Sequence, residues 1–381
     1  MQRKFVRRGK ACLKVTAAGE AGVAIVHDYL TQRGGAERVV LNIASSFPGA
    51  PIFTSLYDRA TTFPDFASLG VRTLRLDRVG LLRRRHRLAF PFLAPSFSRL
   101  GLDYPVVFCS SSGWAHAAHT SGRKVVYCHT PARWLYQTRR YLGDANTWKR
   151  IAVGAAAIPL RAWDQRAAHT AHRYLVNSSA VRDRVAAIYG IEAELLPPPP
   201  GLTVSGPIDS VPDIDDGYFL CISRLLPYKN VAEVVQAFAQ LPAHRLVVAG
   251  TGPLLGSLKS IAPPNVAFIG AVSEPQLRKL YMSCAAVVAA SHEDFGLTPI
   301  EGFAFGKPTA ALRWGGYLDT VEEGRTGVFF DAPRPDLIAR AIVELSKSHF
   351  RIDDLRSRAE HFSEARFTTR LQAIAQEERL A

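Results

Sequence analysis

Two glutamates stand eight positions apart in the segment SHEDFGLTPIEGFAFGKPTAA, residues 291–311. Glu293 and Glu301 flank a turn with a glycine, and the segment predicts a helix that begins near Thr298 with Pro299 in its first turn. Backbone N–H groups at such a helix start can bind anionic oxygens. Glu301 suits a pair of sugar hydroxyls as a bidentate acceptor, and Glu293 precedes the turn. The spacing predicts two acceptors at opposite ends of one ligand.

Two cations follow an earlier apolar stretch, YFLCIS, at the point where a strand is predicted to end. They are Arg224 and Lys229 in the segment SRLLPYKN. Guanidinium and ammonium groups at a strand end can hold a diphosphate through charge-assisted hydrogen bonds. After a second apolar stretch, HRLVVAG, the chain turns through TGP, where glycine permits a close approach of the backbone.

Short apolar strands and helices alternate along the first half of the chain, which indicates a parallel sheet covered by helices. The predicted strands are followed by loops, and ligands of such sheets bind outside the carboxyl ends of the strands. The first predicted helix spans residues 35–47, where the chain leaves a glycine pair. The predicted strands are 22–29, 51–57, 104–111, 124–130, 173–179 and 193–199.

The Pro-, Gly- and Asp-rich run LLPPPPGLTVSGPIDSVPDIDDG separates this pattern from a second α/β pattern and predicts a linker. With 381 residues the chain is long enough for two domains. The predicted organisation is a basic arm at 1–21, an α/β domain at 22–195, a linker at 196–216, a second α/β domain at 217–360 and a helical tail at 361–381.

The composition is that of a water-soluble globular protein with a strong basic excess. The 47 Lys and Arg against 33 Asp and Glu give a formal net charge of +14, which favours an anionic partner. Five dispersed cysteines predict neither a disulfide framework nor a zinc site, and a reducing cytoplasm fits best. The chain lacks an apolar run of the roughly 20 residues that span a bilayer, and its start lacks a signal-peptide core.

One basic and apolar stretch, RVGLLRRRHRLAFPFLAPSF at 78–97, suits a lipid interface. It combines leucines and phenylalanines with four closely spaced arginines, Arg83, Arg84, Arg85 and Arg87, and two prolines limit any helix there. The alternative is a solvated basic face. We expect peripheral binding to an anionic membrane surface, which also accounts for the excess charge.

The motifs around these residues resemble the retaining glycosyltransferases of family 4, which have the GT-B fold. In the first half HDYLTQRGGAERV at 27–39 resembles the family's glycine loop, and YCHTPARWLY at 127–136 resembles the loop with a histidine at the donor sugar. In the second half SRLLPYKN, EDFGLTPIEGFAFGKP and GGYLDTVEEGRTGVFF are similar to the branch that uses GDP-mannose. The resemblance covers roughly residues 22–331 and implies two Rossmann-like α/β domains facing across a cleft.

The resemblance also implies roles for individual residues. The glycines Gly34 and Gly35 would approach the donor diphosphate. The cations Arg224 and Lys229 would neutralise it, and Glu301 would bind the ribose hydroxyls. The hexose would be held by Glu293 and by the N–H groups around Phe295, Gly296 and Leu297, while His129 would contact the sugar near the scissile bond. Asn230, which follows Lys229, departs from the family pattern.

The expected activity is transfer of an α-mannosyl unit from GDP-mannose to a lipid-linked glycan or glycolipid, at the inner face of the cell membrane. A double displacement needs a carboxylate close behind the anomeric carbon, and the sequence does not show one placed there. We therefore favour same-face substitution, in which the leaving phosphate takes the acceptor proton. No metal is expected to be required, since the D-x-D pattern of DIDD at 213–216 lies in the linker. The alternatives are a glycosyltransferase that uses a UDP-sugar donor, a nucleotide-sugar epimerase of the same fold, and a basic nucleic-acid-binding protein. We do not expect a nucleic-acid partner.

Overall fold

The computed structural model describes residues 13–16, 22–137 and 147–381 and divides the chain into two compact units. Unit 1 comprises Met1–Leu175, Val185–Ala193 and Thr368–Ala381. Unit 2 comprises Val176–Arg184 and Glu194–Phe367.

Sixteen short strands form three sheets in the described part of the chain. In order they are β1 Leu13–Thr16, β2 Val23–His27, β3 Ile52–Thr54, β4 Val71–Thr73, β5 Leu100–Asp103, β6 Val106–Ser111, β7 His119–Thr120, β8 Arg123–Cys128, β9 Arg173–Val176, β10 Glu194–Leu195, β11 Phe219–Ile222, β12 Leu246–Ala249, β13 Val266–Gly270, β14 Ala286–Ala289, β15 Thr309–Leu312 and β16 Gly327–Phe330.

Helices follow most of the strands. They are α1 Gly35–Ser46, α2 Gly80–Arg84, α3 Phe90–Phe97, α4 Arg133–Tyr136, α5 Thr147–Ala168, α6 Ser179–Tyr189, α7 Val231–Phe238, α8 Leu255–Ile261, α9 Glu274–Ser283, α10 Leu297–Ala304, α11 Tyr317–Thr320, α12 Pro335–Lys347, α13 Ile352–Glu360 and α14 Glu364–Leu380. Short 3₁₀ turns add Pro64–Ser68, Arg75–Arg78, His86–Ala89, Ala115–Ala117 and Pro227–Lys229.

The main sheet of unit 1 has the strand order β10-β9-β8-β6-β2-β3-β4. Its central strands pair in parallel, β2 with both β3 and β6, β3 with β4, and β6 with β8. The order reverses between β2 and β6, which is the switch point where doubly wound folds bind ligands. A smaller parallel sheet, β1-β5-β7, was not predicted from the sequence.

The sheet of unit 2 has six parallel strands in the order β13-β12-β11-β14-β15-β16. Its switch point lies between β11 and β14. The strands are short, and their residues are apolar and mostly buried; all four residues of β12 and of β14 are buried. Burial on both sides is expected because helices cover both faces of a parallel sheet. The predicted α/β class with two parallel-sheet units is confirmed.

The helix α14 brings the last residues of the chain into unit 1. Leu371 and Ile374 are fully buried there. Gln372 Nε2 donates to the Ser46 carbonyl at 3.0 Å, and Arg123 Nε donates to Glu378 Oε2 at 2.8 Å. The predicted helical tail, 361–381, therefore divides between the two units.

Several other sequence expectations can be placed on the structure. Of the predicted arm at 1–21 the structure describes Leu13–Thr16, which form β1, and residues 1–12 and 17–21 lie outside the described residues. The segment 196–218, all of it described, contains neither helix nor strand. Among the described residues, no helix is both long and apolar enough to span a bilayer.

Candidate functional site

Two loops meet at the switch point of unit 2, one after β11 and one after β14. Hydrogen bonds to backbone carbonyls join the loops: His292 N–H donates to the Tyr228 carbonyl at 3.3 Å, Ser291 Oγ donates to the Lys229 carbonyl at 3.4 Å, and Asn230 Nδ2 donates to the Ala290 carbonyl at 2.7 Å. Residues about 60 positions apart in sequence are thereby held together at one sheet edge.

The predicted cation and the first predicted glutamate of this edge form an ion pair. Lys229 Nζ contacts Glu293 Oε1, and the Lys229 side chain is 9% exposed against 27% for Glu293. The ammonium also lies 5.0 Å from the centroid of the Tyr228 ring. Arg224 is exposed, and its Nη2 lies 3.4 Å from the Tyr228 hydroxyl. Tyr228 thus contacts both predicted phosphate ligands.

The neighbouring carboxylate in the sequence HED is engaged elsewhere. Asp294 is buried, and Arg184 Nη1 donates to its Oδ1 at 2.8 Å. A buried charge is stable only when it is paired, and Arg184 supplies the partner here. Asp294 therefore stabilises the loop. Glu293 is the carboxylate of this pair that remains partly open to solvent.

Asn230, the departure from the family pattern, has a structural reason. Its backbone is left-handed, with φ 54° and ψ 32°, and it begins α7. Asparagine tolerates this conformation better than most other side chains. Its side-chain amide donates to the Ala290 carbonyl in the loop after β14, and a lysine or arginine at this position would lose that hydrogen bond.

The turn before α10 is tightly packed against neighbouring backbone and against the Tyr317 ring. Gly296 has φ 85°, and a Cβ there would lie 2.3 Å from the Tyr317 ring. Gly315 and Gly316 lie against the same turn, and a Cβ on Gly316 would lie 2.2 Å from the Phe295 Cα. These close contacts fix the turn, because any of the three glycines could gain a side chain only by displacing it.

This turn carries backbone N–H groups that have no acceptor in the described part of the chain. The side chain of Phe295 is buried in the core, where its ring packs against Phe362. The N–H groups of Phe295, Gly296 and Leu297 donate to no acceptor within the described chain. Three unpaired donors at the start of α10 form an arrangement that binds anionic or hydroxyl oxygens.

The second predicted glutamate, Glu301, is positioned by a buried tyrosine. The Tyr281 hydroxyl donates to Glu301 Oε2 at 2.8 Å, and the Tyr281 ring stacks on Phe305 at 5.4 Å. Burial, reinforced by the Glu301 charge, raises the pKa of Tyr281 well above its usual range, so the hydroxyl remains a donor. Sequence analysis missed Tyr281, because a tyrosine in an amphipathic helix gives no signal that separates it from core.

In unit 1 an aspartate occupies the switch point between β2 and β6. Asp28 follows β2 directly, and its carboxylate accepts backbone N–H groups of Ser112 at 2.7 Å, Ala115 at 2.6 Å and Trp114 at 3.2 Å. Burial raises the pKa of Asp28 to about 6, while the three N–H donors oppose that rise. Asp28, also missed by sequence analysis, fixes the loop after β6.

The predicted histidine of unit 1, His129, follows β8 and is connected to a second histidine. Its Nε2 lies 2.8 Å from the Ser110 hydroxyl, and His27 Nδ1 lies 3.1 Å from the same hydroxyl and 3.1 Å from the Ser110 carbonyl. Burial lowers the pKa of His27 to about 4, so His27 is neutral and donates through Nδ1. The Ser110 hydroxyl can therefore donate to His129 and hold its ring.

The two predicted glycines lie at the start of α1 and differ in their surroundings. Gly34 has an extended backbone with φ −126°, and a Cβ there would lie 2.5 Å from Glu37 Oε2. A Cβ on Gly35 would meet nothing within 4 Å. A side chain at 34 would therefore require the buried Glu37 carboxylate to move, whereas 35 borders open space.

The basic stretch 78–97 folds as α2, a 3₁₀ turn and α3. Arg84, Arg85 and Arg87 are exposed, and Arg83 Nη1 lies 3.9 Å from Asp77 Oδ2. The expectation that prolines limit a helix is wrong for α3, which contains Pro95 and has Pro91 in its first turn, where no donor is required. Large apolar side chains are exposed beside the arginines, namely Val79, Leu81, Leu88 and Phe92.

The acidic run at 213–216 takes part in surface ion pairs. Arg245 Nη1 lies 2.5 Å from Asp215 Oδ2, and Lys279 Nζ lies 3.7 Å from Asp216 Oδ1. Asp213 adopts a left-handed backbone with φ 58°. Across the ranges 22–137 and 157–381, no group of three or more His, Cys, Asp or Glu has the arrangement of a metal site.

Two family models match the chain in tandem. The model for Glycosyltransferase Family 4 matches residues 33–199, and the model for Glycosyl transferases group 1 matches residues 209–365. Together they leave residues 1–32, 200–208 and 366–381 unmatched.

Curated relatives match parts of the chain. The D-inositol 3-phosphate glycosyltransferase of Mycobacterium avium is 32% identical over 146 residues, 35% of this chain and 34% of the relative. The GDP-mannose-dependent alpha-(1-6)-phosphatidylinositol monomannoside mannosyltransferase of Mycobacterium tuberculosis is 30% identical over 199 residues, 44% of this chain and 51% of the relative. The match thus spans about a third to a half of the length of these relatives.

Solved structures match over nearly the full length. HepE of Anabaena, in complex with UDP and glucose, has a TM-score of 0.68 at 16% identity and covers 93% of this chain and 99% of its own. Sucrose-phosphate synthase of Thermosynechococcus elongatus has a TM-score of 0.66 at 16% identity, over 93% of this chain and 98% of its own. The two tandem domains and this shared fold identify the chain as a member of the family 4 glycosyltransferases with the GT-B fold.

Proposed function

We propose that the chain transfers a hexosyl unit from a nucleotide sugar, with GDP-mannose as the donor and a lipid-linked glycan or glycolipid as the acceptor. Family membership supports a glycosyltransferase. The name of the M. tuberculosis relative, a GDP-mannose-dependent mannosyltransferase that acts on a phosphatidylinositol mannoside, favours this donor and acceptor class. The motifs SRLLPYKN and EDFGLTPIEGFAFGKP point to the same branch.

The observation that carries this proposal is the set of groups gathered at the switch point of unit 2. Arg224 and Lys229 supply cations, the turn before α10 supplies three unpaired N–H groups, and Glu301 supplies a positioned carboxylate. A nucleoside diphosphate sugar requires each of these, namely cations for the diphosphate, donors for sugar oxygens, and an acceptor for the ribose hydroxyls. We assign Glu293 to the hexose hydroxyls.

The proposed chemistry is same-face substitution at the anomeric carbon. As the bond to the diphosphate breaks, negative charge develops on the leaving oxygen, and Arg224 and Lys229 stabilise it. The acceptor hydroxyl forms the new bond and passes its proton to that leaving phosphate, so configuration is retained. In unit 1 we assign His129 to the sugar and Gly34 with Gly35 to the approach of the diphosphate.

The membrane part of the proposal rests on the basic stretch. Exposed Leu81, Leu88 and Phe92 lie in the same short segment as exposed Arg85 and Arg87, and this combination suits insertion at an anionic interface. We propose peripheral attachment to the inner face of the cell membrane, where a lipid-linked acceptor is presented.

A thermal-shift panel of GDP, UDP, ADP and their sugars tests the donor. Ligand at about 100 times its dissociation constant adds roughly 2.7 kcal/mol to the free energy of unfolding. We expect GDP and GDP-mannose to stabilise the protein, Arg224→Gln to weaken that effect, and Arg245→Gln, a surface arginine paired with Asp215, to leave it unchanged. Stabilisation by UDP compounds alone would reassign the donor, and no nucleotide effect would contradict the proposal.

A further inference from the structure

A pocket of about 620 Å³ opens at the edge of the main sheet of unit 1, where β4 is the last strand. Val71 and Thr73 of β4 line it, and Phe66 adds a buried apolar surface. Tyr57, which follows β3, forms another part of the wall. The volume lies within the range of pockets that hold small ligands.

Three arginines line this pocket, two of them from the basic stretch. They are Arg59, Arg83 and Arg84. In the part of the chain that the structure describes, neither Arg59 nor Arg84 forms an ion pair. The Arg59 guanidinium lies 5.7 Å from the Tyr57 ring centroid. Such an unpaired arginine is available to an anionic ligand.

The two aspartates of the pocket offset only part of this positive charge. Asp77 Oδ1 accepts the Tyr57 N–H at 2.9 Å, and its other oxygen lies 3.9 Å from Arg83, a loose ion pair. Asp58 Oδ1 accepts the Ala60 N–H at 3.1 Å. Both carboxylates are committed to the backbone of the pocket wall, and three guanidinium groups against two carboxylates leave a net positive charge.

The pocket includes residues that follow β3 and β4, at the ends of the strands where the loop of His129 also lies. That loop follows β8, and the strand order β8-β6-β2-β3-β4 puts four strand spacings between them. At ~4.8 Å for each spacing, the pocket and the His129 loop are about 19 Å apart. A single sugar ring is too short to bridge this distance.

We propose that this pocket binds the phosphate or diphosphate of the acceptor, several sugar units away from the hydroxyl that is glycosylated. The inference rests on the proposed function and narrows its acceptor to an oligosaccharide with a phosphorylated reducing end. The basic stretch then has two roles, since Arg83 and Arg84 line the pocket whereas Arg85 and Arg87 do not.

Calorimetric titration with inorganic pyrophosphate, at saturating GDP so that the donor site is filled, tests the pocket. Because each guanidinium can donate charge-assisted hydrogen bonds to the anion, Arg59→Gln and Arg84→Gln should each weaken pyrophosphate binding about tenfold. Arg72→Gln is the matched control, because Arg72 lies on β4 between Val71 and Thr73 and packs on the Phe53 ring at 5.6 Å, outside the pocket.

Binding to phosphatidylglycerol vesicles distinguishes a pocket that recognises a phosphorylated glycan end from arginines that contact the bulk membrane. Arg59→Gln should leave vesicle binding unchanged while it weakens pyrophosphate binding, and the double variant Arg85→Gln/Arg87→Gln should do the reverse. Unchanged pyrophosphate affinity in the pocket variants, or a loss of vesicle binding in Arg59→Gln, would overturn the inference. A failed donor assignment would instead appear as a missing GDP effect in the wild-type protein.

Discussion

The ammonium group of Lys229 pairs with the carboxylate of Glu293, so a residue assigned to the donor diphosphate and one assigned to the hexose neutralise each other in this structure. They come from loops after different strands, and Lys229 is largely buried. Removal of either partner leaves the other with an uncompensated charge at low exposure, which is costly.

The first prediction follows from that pairing. Lys229→Gln and Glu293→Gln should each lower kcat/KM at least tenfold, about 1.4 kcal/mol of barrier. The double variant should lose less than the product of the single losses, because residues in contact are not additive. Steady-state kinetics on folded protein is the measurement, with the surface pair variant Arg245→Gln/Asp215→Asn as control. Strictly multiplicative losses would show that the contact has no part in donor use.

The second prediction separates the two glutamates. Glu301→Gln should mainly weaken free nucleotide binding, whereas Glu293→Gln should spare it and damage sugar transfer. Tyr281→Phe removes the donor that positions Glu301 and should weaken GDP binding by about 1 kcal/mol while its ring remains packed.

The control for the tyrosine is Tyr218→Phe, since the buried Tyr218 hydroxyl donates to the Leu280 carbonyl in the same unit. Titration calorimetry with GDP measures all of these variants. Equal affinity in Tyr281→Phe and wild type would remove the positioning role, and equal losses in both glutamate variants would contradict their separate roles.

The third prediction concerns Asp28 and pH. Its folded-state pKa, raised by burial to about 6, exceeds the ordinary value of 3.8. Its contribution to the free energy of unfolding is therefore fully present below pH 3.8 and is lost as pH rises to about 6. The stability of Asp28→Asn relative to wild type should improve by about 3 kcal/mol between about pH 3.5 and pH 7.

The comparison with the variant is needed because His27 acts in the opposite direction. Burial lowers its pKa from 6.5 to about 4, so its contribution is present above pH 6.5 and is lost as pH falls to about 4. The two slopes partly cancel in the wild-type profile. Urea unfolding at a series of pH values measures the difference, and a difference that does not change with pH would refute the raised pKa of Asp28.

The fourth prediction tests membrane attachment. Replacing Arg83, Arg84, Arg85 and Arg87 by Gln should release the protein from acidic vesicles, because each basic side chain contributes about 1 kcal/mol near an anionic surface. Added salt should weaken wild-type binding in the same assay. Sedimentation with vesicles of graded acidic-lipid content is the measurement, and Arg334→Gln/Arg340→Gln, on exposed arginines of unit 2, is the control. Binding that ignores both lipid charge and the four substitutions would leave the stretch as a solvated face.

The sequence predicted the parts of the fold that depend on local pattern. The apolar runs around Phe219–Ile222 and Ala286–Ala289, the linker and the helix near Thr298 all follow from periodicity, proline and glycine. It also identified the residues at the strand ends, since the carboxyl edge of a parallel sheet is where ligands bind.

The contacts that position those residues could not be predicted. The hydrogen bond from Asn230 to Ala290 and the one from Tyr281 to Glu301 join positions 60 and 20 residues apart, and only the packed sheet brings them together. Asp28 was read as part of a strand, because its three backbone donors belong to a loop more than 80 residues later. The arginine-lined pocket likewise requires the order of β3 and β4 at the sheet edge.

The position of α14 has a consequence for how the chain folds during synthesis. Leu371 and Ile374 fill the interior of unit 1, yet the ribosome makes them after all of the β-strands of unit 2. Domains usually fold as they emerge, the N-terminal one first. Here the N-terminal unit must wait, with an apolar surface uncovered, until its last helix has been translated. Fusion junctions or truncations placed between 361 and 368 would therefore damage the unit that was made first.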